Sequence, residues 1–142
     1  MKVMGLDRKL YNLALSTIVR NKCSELHLRA RLLLKTIFPG ELVFEEVSLP
    51  GSKTSKNGIL FLDFLLPNKL LGFEVQGEQH EKYTPMFHKN RVNFGRAQQR
   101  DSYKREWCEL NNILLIELNF NETDEIWRQK IEARHECSSL KN

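Results

Sequence analysis

The chain has 142 residues, of which 41% are hydrophobic and 28% charged, with 7 Gly and 4 Pro. This composition excludes collagen-like, low-complexity and disordered chains, and the length supports one hydrophobic core rather than two. Lys and Arg number 22 against 18 Asp and Glu, a modest basic surplus that suits an anionic partner without identifying one.

In chain order, Asp7 to Arg20 places Leu10, Leu13, Ala14, Thr17 and Ile18 at helical spacing and predicts a first helix. Ser24 predicts the cap of a second helix, with Glu25 in its first turn. Leu26, Leu28, Leu32, Leu33 and Ile37 supply its apolar content, and Phe38-Pro39-Gly40 ends it. Leu42 to Val47 reads as a strand, and Pro50 to Gly58 as a polar loop. Ile59–Leu66 and Leu70–Val75 read as two strands joined by the Pro67-Asn68-Lys69 turn, hence a hairpin. Phe94–Leu110 predicts a helix, Ile113–Leu118 a buried strand, and Thr123 the cap of a last helix running to about His135. The order is helix, helix, three strands, helix, strand, helix. It predicts a single α/β domain with a mixed sheet flanked by helices. Residues 1–23 read as an N-terminal helical extension, 24–136 as the domain proper and 137–142 as a tail.

Cys23, Cys108 and Cys137 form no C-x-x-C pair, so neither a disulfide framework nor a common zinc module is expected. The opening MKVMGLDRKLYNL lacks the apolar run of a secretory signal, and apolar stretches such as Ile113–Ile116 are too short to span a membrane. A cytoplasmic or other intracellular location is therefore expected, without secretion or membrane insertion.

Two acids interrupt apolar strands. Asp63 sits in LFLDFLLP and Glu74 in LLGFEVQG, on either side of the hairpin turn. An ionised carboxylate inside a strand must be paired, hydrogen-bonded, bound to a cation or turned to solvent. Across one hairpin the two could converge on a divalent cation that takes oxygen ligands. The bland alternative is that each faces water.

Glu25 on the early helix, Asp63 before a hairpin turn and Glu74-Val75-Gln76 on the next strand resemble the PD-(D/E)XK nuclease superfamily. The stretch Leu62 to Asn68 is similar to the corresponding hairpin of phage endonuclease I type resolvases. Gly77-Glu78-Gln79-His80, Arg100-Asp101-Ser102-Tyr103-Lys104 and Ile113 to Ile116 are similar, in that order, to the very-short-patch-repair-like branch with its E-D-x-H-D arrangement. The resemblance covers roughly Ser24 to Leu118. It implies a restriction-endonuclease-like fold and Mg²⁺, with Mn²⁺ able to substitute, held by Glu25, Asp63 and Glu74. Two departures stand out: Gln76 occupies the position of the E-x-K lysine, and no Cys/His zinc ligands follow His80.

Another group must then supply what that lysine would. His80 is one candidate, as a neutral imidazole able to take a proton from water. Lys104 is the other, one helical turn from Asp101; the alternative is an ordinary surface ion pair. Asp101 either orients His80, holds metal or pairs with Arg100, Lys104 or Arg105. Gln76 is an amide contact to metal or phosphate. Between Lys82 and Arg105 the chain carries seven Lys or Arg against one Asp. Lys82, Lys89, Arg91, Arg96 and Arg100 are therefore candidate contacts to nucleic-acid phosphates. Lys53 and Lys56 are further candidates on the polar loop. Trp107 and Trp127 read as core residues. The expectation is a metal-dependent DNA endonuclease, with RNA as an alternative polymer and a homodimer or protein partner as a source of specificity. The alternatives are a decayed nuclease fold that binds nucleic acid and a protein-interaction module.

Overall fold

The computed structural model describes residues 1–15, 23–52, 59–77 and 91–140, without the side chains of 91–98 and 136–140. Strands β1 (Lys2–Met4) and β2 (Leu10–Asn12) form a small antiparallel hairpin. This corrects the helix expected over Asp7–Arg20, and with it the helical extension, as far as Leu15; residues 16–22 lie outside the description. The reason is local. The Asp7 carboxylate accepts hydrogen bonds from the Lys9 N–H and the Tyr11 hydroxyl, and Arg8 turns the chain at φ +66°. Asp side chains that bond to nearby backbone offer the chain an alternative to helix. Val3 and Leu13 are buried, whereas Leu10, part of the expected helical stripe, is exposed.

Helix α1 (Glu25–Ile37) begins as expected: Ser24 Oγ accepts from the His27 N–H at 3.1 Å. Beyond it lie β3 (Phe44–Leu49), β4 (Leu60–Leu66), β5 (Leu71–Gln76), α2 (Arg91–Leu110), β6 (Leu114–Asn119) and α3 (Asp124–Leu140). The expected strand over Leu42–Val47 is thus displaced by two residues. The sheet order is β3-β4-β5-β6, with the first two pairings antiparallel and β5–β6 parallel. Parallel neighbours need a crossover, and α2 lies within it. The mixed four-stranded sheet with three flanking helices is the α/β architecture read from the sequence.

The two faces of the sheet have separate cores. Phe64, Leu66, Leu71, Phe73, Ile116 and Leu118 pack against Ala30 and Leu34 of α1 and Trp127 and Ile131 of α3. On the other side Val47, Leu49, Leu60, Leu62 and Leu65 pack with Trp107 and Cys108 of α2 and Val3 and Leu13 of the hairpin. Both tryptophans are fully buried, as expected, and each indole finds an acceptor: Trp107 donates to the Pro50 carbonyl at 2.9 Å, Trp127 to the Asn119 carbonyl at 3.0 Å. Helix α2 stops in a Schellman turn: Asn112 sits at φ +58°, Asn112 N–H bonds to Glu109 O and Ile113 N–H to Cys108 O. Asn111 then clamps β1, accepting from Met4 N–H and donating to Met4 O. This end of α2 is thereby tied to the N-terminal hairpin over the second core.

Candidate functional site

Strand β5 buries Leu71 and Phe73 toward α1 and α3, so alternation turns Gly72, Glu74 and Gln76 toward α2. Gly72 is the close-packed floor there; a Cβ would meet Leu62 at 3.0 Å and Ile113 at 3.2 Å. The β4–β5 ladder pairs Leu66 with Leu71, Leu65 with Gly72 and Phe64 with Phe73, and one step further brings Asp63 opposite Glu74. No backbone pair forms at that step. Instead Asp63 Oδ2 accepts the Val75 N–H at 2.8 Å. A carboxylate has replaced a main-chain carbonyl as acceptor, and the strands part where the two acids meet.

Glu74 is 6% exposed. Its pKa is pushed up to about 9, first by burial and then by the neighbouring Asp63 charge, against the opposing pull of Lys104. Lys104 Nζ, from α2, stands 3.2 Å from Glu74 Oε1. That is ion-pair distance, but the alignment is not that of a hydrogen bond, and Glu74 Oε1 has no hydrogen-bond partner among the described residues. Gln76, 5% exposed, likewise leaves its Oε1 unpartnered. Buried polar atoms without partners are uncommon in a folded chain, and each calls for an explanation. Two oxygens without hydrogen bonds among the described residues lie on one strand face beside a second carboxylate, and oxygen donors of this kind suit a hard cation.

Sequence reading missed two further acids at this level. Glu117 of β6 pairs in register with Glu74, and Glu46 of β3 falls opposite Asp63 between the Glu45–Phe64 and Val47–Leu62 pairs. An acid thus occupies this position on all four strands. Glu117 was visible by the rule that singled out Asp63, as the lone charge in an apolar strand. It is bonded to Arg105 Nε at 2.7 Å. Glu46 gave no such signal. It adopts φ +48°, an unusual conformation for a non-glycine residue in a strand, at the level where the ladder is interrupted.

The other expected site residues divide sharply. Glu25 is not brought to Asp63 and Glu74. It is exposed on α1 and lines a depression of about 620 Å³ with Leu28, Arg29, Leu32, Asp124 and Arg128. The expected grouping of Glu25 with Asp63 and Glu74 does not form, because α1 buries His27, Ala30, Leu33 and Leu34 and so turns Glu25 outward. Among the described residues no three His, Cys, Asp or Glu side chains are grouped to hold a metal. Asp101 acts on Arg105, whose pKa it helps to raise behind the stronger effect of Glu117. Arg100 is exposed on α2. Arg91 and Arg96 fall in the first turns of α2, but their side chains lie outside the description. His80, Lys82, Lys89, Lys53 and Lys56 are also outside it, with Glu78 and Gln79. Of the two candidates for the missing lysine, Lys104 is the one seen beside Glu74.

A second buried carboxylate lies on the opposite face. Glu45 receives two hydrogen bonds from Arg31, each at 2.8 Å, and contacts His27 Nε2 at 2.6 Å, while the imidazole stacks on Phe64 at 4.4 Å between centroids. Despite burial, Arg31 and His27 hold this carboxyl below the usual glutamate value.

No helix among the described residues is long and apolar enough to cross a membrane. No protein-family model matches the chain, and no solved structure matches it. It is similar to uncharacterized protein 307L of Invertebrate iridescent virus 6, with 42% identity over 73 residues, covering 50% of this chain and 37% of that relative. Uncharacterized protein 033L of Invertebrate iridescent virus 3 is 36% identical over 61 residues, covering 43% of this chain and 31% of the relative. Uncharacterized protein 094L of Frog virus 3 (isolate Goorha) is 34% identical over 83 residues, covering 57% and 54% respectively. The chain thus spans between about a third and about a half of the curated relatives it matches.

Proposed function

We propose that this chain is a metal-dependent DNA endonuclease of PD-(D/E)XK type, hydrolysing phosphodiester bonds with water. The observation that carries the reading is the Asp63–Glu74 pair. Two carboxylates meet at a parting of the sheet, one buried oxygen of the pair has no hydrogen-bond partner among the described residues, and a lysine stands beside it. Structural acids in a sheet are normally satisfied or solvated; Glu74 is buried with one oxygen that makes no hydrogen bond among the described residues.

Asp63 and Glu74 would hold Mg²⁺ or Mn²⁺, a charge that suits two carboxylates plus water. Bound there, the ion would polarise the scissile phosphate and lower the pKa of a water ligand. The Val75 N–H fixes the Asp63 carboxylate through one oxygen. Lys104 supplies from α2 the positive charge that Gln76 lacks, where charge develops on the phosphate. Gln76 Oε1 accepts a hydrogen bond from water and aims it, without taking its proton. Arg100 and Arg105, with Lys82, Lys89, Arg91 and Arg96, hold backbone phosphates and confer no sequence preference. The workplace would be intracellular, where nucleic acid and Mg²⁺ are both at hand.

One observation favours a competing reading, a decayed nuclease fold that binds nucleic acid without cutting it: no third acid joins the pair among the described residues. Incubation of supercoiled, branched, mismatched and single-stranded DNA, and of RNA, with the chain and Mg²⁺ or Mn²⁺ separates the two. Cutting that disappears in Asp63→Ala supports the nuclease. Binding without cutting on every substrate, or cutting that survives Asp63→Ala, removes it.

A further inference from the structure

We infer that the outer face of α1 is a self-association surface, on which a second copy of this chain docks through an antiparallel α1–α1 contact. Leu28 and Leu32 lie one turn apart on this face, 43% and 57% exposed, at the centre of a helix that buries its other side. Beside them runs the depression between α1 and α3, about 620 Å³, with room for the apolar side chains of a neighbouring helix. Glu25 flanks the leucines at the N-terminal end and Lys35 at the C-terminal end, and both are exposed.

The occupant follows from the pattern. A two-fold axis crossing the outer face midway between Leu28 and Leu32 sets Leu28 of one copy against Leu32 of the other, and by the same symmetry Glu25 against Lys35. Each apolar residue then meets an apolar residue, and each charge meets its opposite, twice per dimer. A parallel arrangement would set Glu25 against Glu25 and Lys35 against Lys35, so charge selects the antiparallel one. The helix dipoles also oppose one another in that arrangement. Arg29 and Arg31, which the axis relates, do not spoil it. Arg29 lies over the Trp127 ring and bonds to the Glu122 carbonyl, and Arg31 is committed to Glu45. The surface is on the side of the sheet away from Glu74 and Lys104, so the inference does not depend on the nuclease reading.

Light scattering coupled to size exclusion, at roughly 50 µM so that mass action favours a weak dimer, tests it. The expected mass is twice the 16.7 kDa of one chain. Leu28→Lys with Leu32→Lys should give the monomer while far-UV circular dichroism is kept. Glu25→Lys and Lys35→Glu should each weaken the dimer about tenfold or more, and the two together should restore it. The charge pair is exposed, so this arm stands even where the double lysine variant fails to fold. A wild-type monomer overturns the inference. So does a dimer indifferent to the leucine changes, or a charge swap without rescue.

Discussion

Two glutamate side chains on opposite faces of one sheet, both largely out of water, are partnered in opposite ways. Glu45, facing α1, is reached by a two-pronged arginine and a histidine, and its pKa is lowered. Glu74, facing α2, has an acid for one neighbour, a lysine off hydrogen-bond alignment for another, and a pKa raised to about 9. Both are removed from water. The difference lies in whether the surroundings supply donors. A fully hydrogen-bonded carboxylate offsets part of its desolvation cost within the fold, whereas an under-partnered one is driven toward its protonated form.

The comparison breaks most easily at Glu74. If the chain is the proposed nuclease, Glu74→Gln should lower metal-dependent cleavage by roughly 10³-fold or more, since it removes a carboxylate that would hold the ion. The same change should leave metal-free stability unchanged or raised in urea titration, because the raised pKa keeps this carboxyl protonated near neutral pH and Gln is its neutral isostere. A large loss of stability would make Glu74 a structural residue like Glu45.

Lys104→Ala should lower cleavage by about 10²- to 10³-fold with little change in DNA affinity, the pattern of a group acting at the reacting phosphate. Equal losses in affinity and rate would mark it as a general phosphate contact.

Glu45→Gln should cost ~3 kcal/mol in urea titration, at the low end for one partner of a buried ion pair, because Arg31 and His27 lose the negative charge and one of two acceptor oxygens. Any cleavage by the folded fraction should be unaffected. The sign of its pH dependence follows from the lowered pKa. The stabilisation is fully present above the ordinary glutamate value of about 4.3 and is lost as pH falls through the lower folded value. The stability gap between wild type and Glu45→Gln should therefore be constant near neutral pH and close in acid. A gap that widens in acid would contradict the assignment.

The smallest effect concerns Cys108, buried under α2 with its thiol pushed up to about 12 by burial and by the Glu74 charge. In the native chain a thiol reagent should modify exposed Cys23 and spare Cys108. Labelling of Cys108 at the rate of Cys23 would mean that α2 lifts from the sheet, and that the burial of Glu74 is transient.

How much of this could be read from the chain depends on the range of the interactions. Helix α1 was legible because Ser24 caps it locally and its apolar residues recur at helical spacing. The β4–β5 hairpin was legible because a short turn leaves little choice of register. That register alone made Asp63 and Glu74 neighbours. The N-terminal segment was misread as helix because its leucines fit that spacing while Asp7 and Tyr11 close a turn, a competition that periodicity does not weigh. What only tertiary structure decided is everything carried across elements far apart in sequence. Strand order brought Glu117 beside Glu74 and Glu46 opposite Asp63. Packing of α2 on the sheet delivered Lys104 to Glu74, and packing of α1 on the other face turned Glu25 away. Local spacing determines which groups share a face. Whether that face meets water, a lysine or another acid is set by what the rest of the chain lays over it.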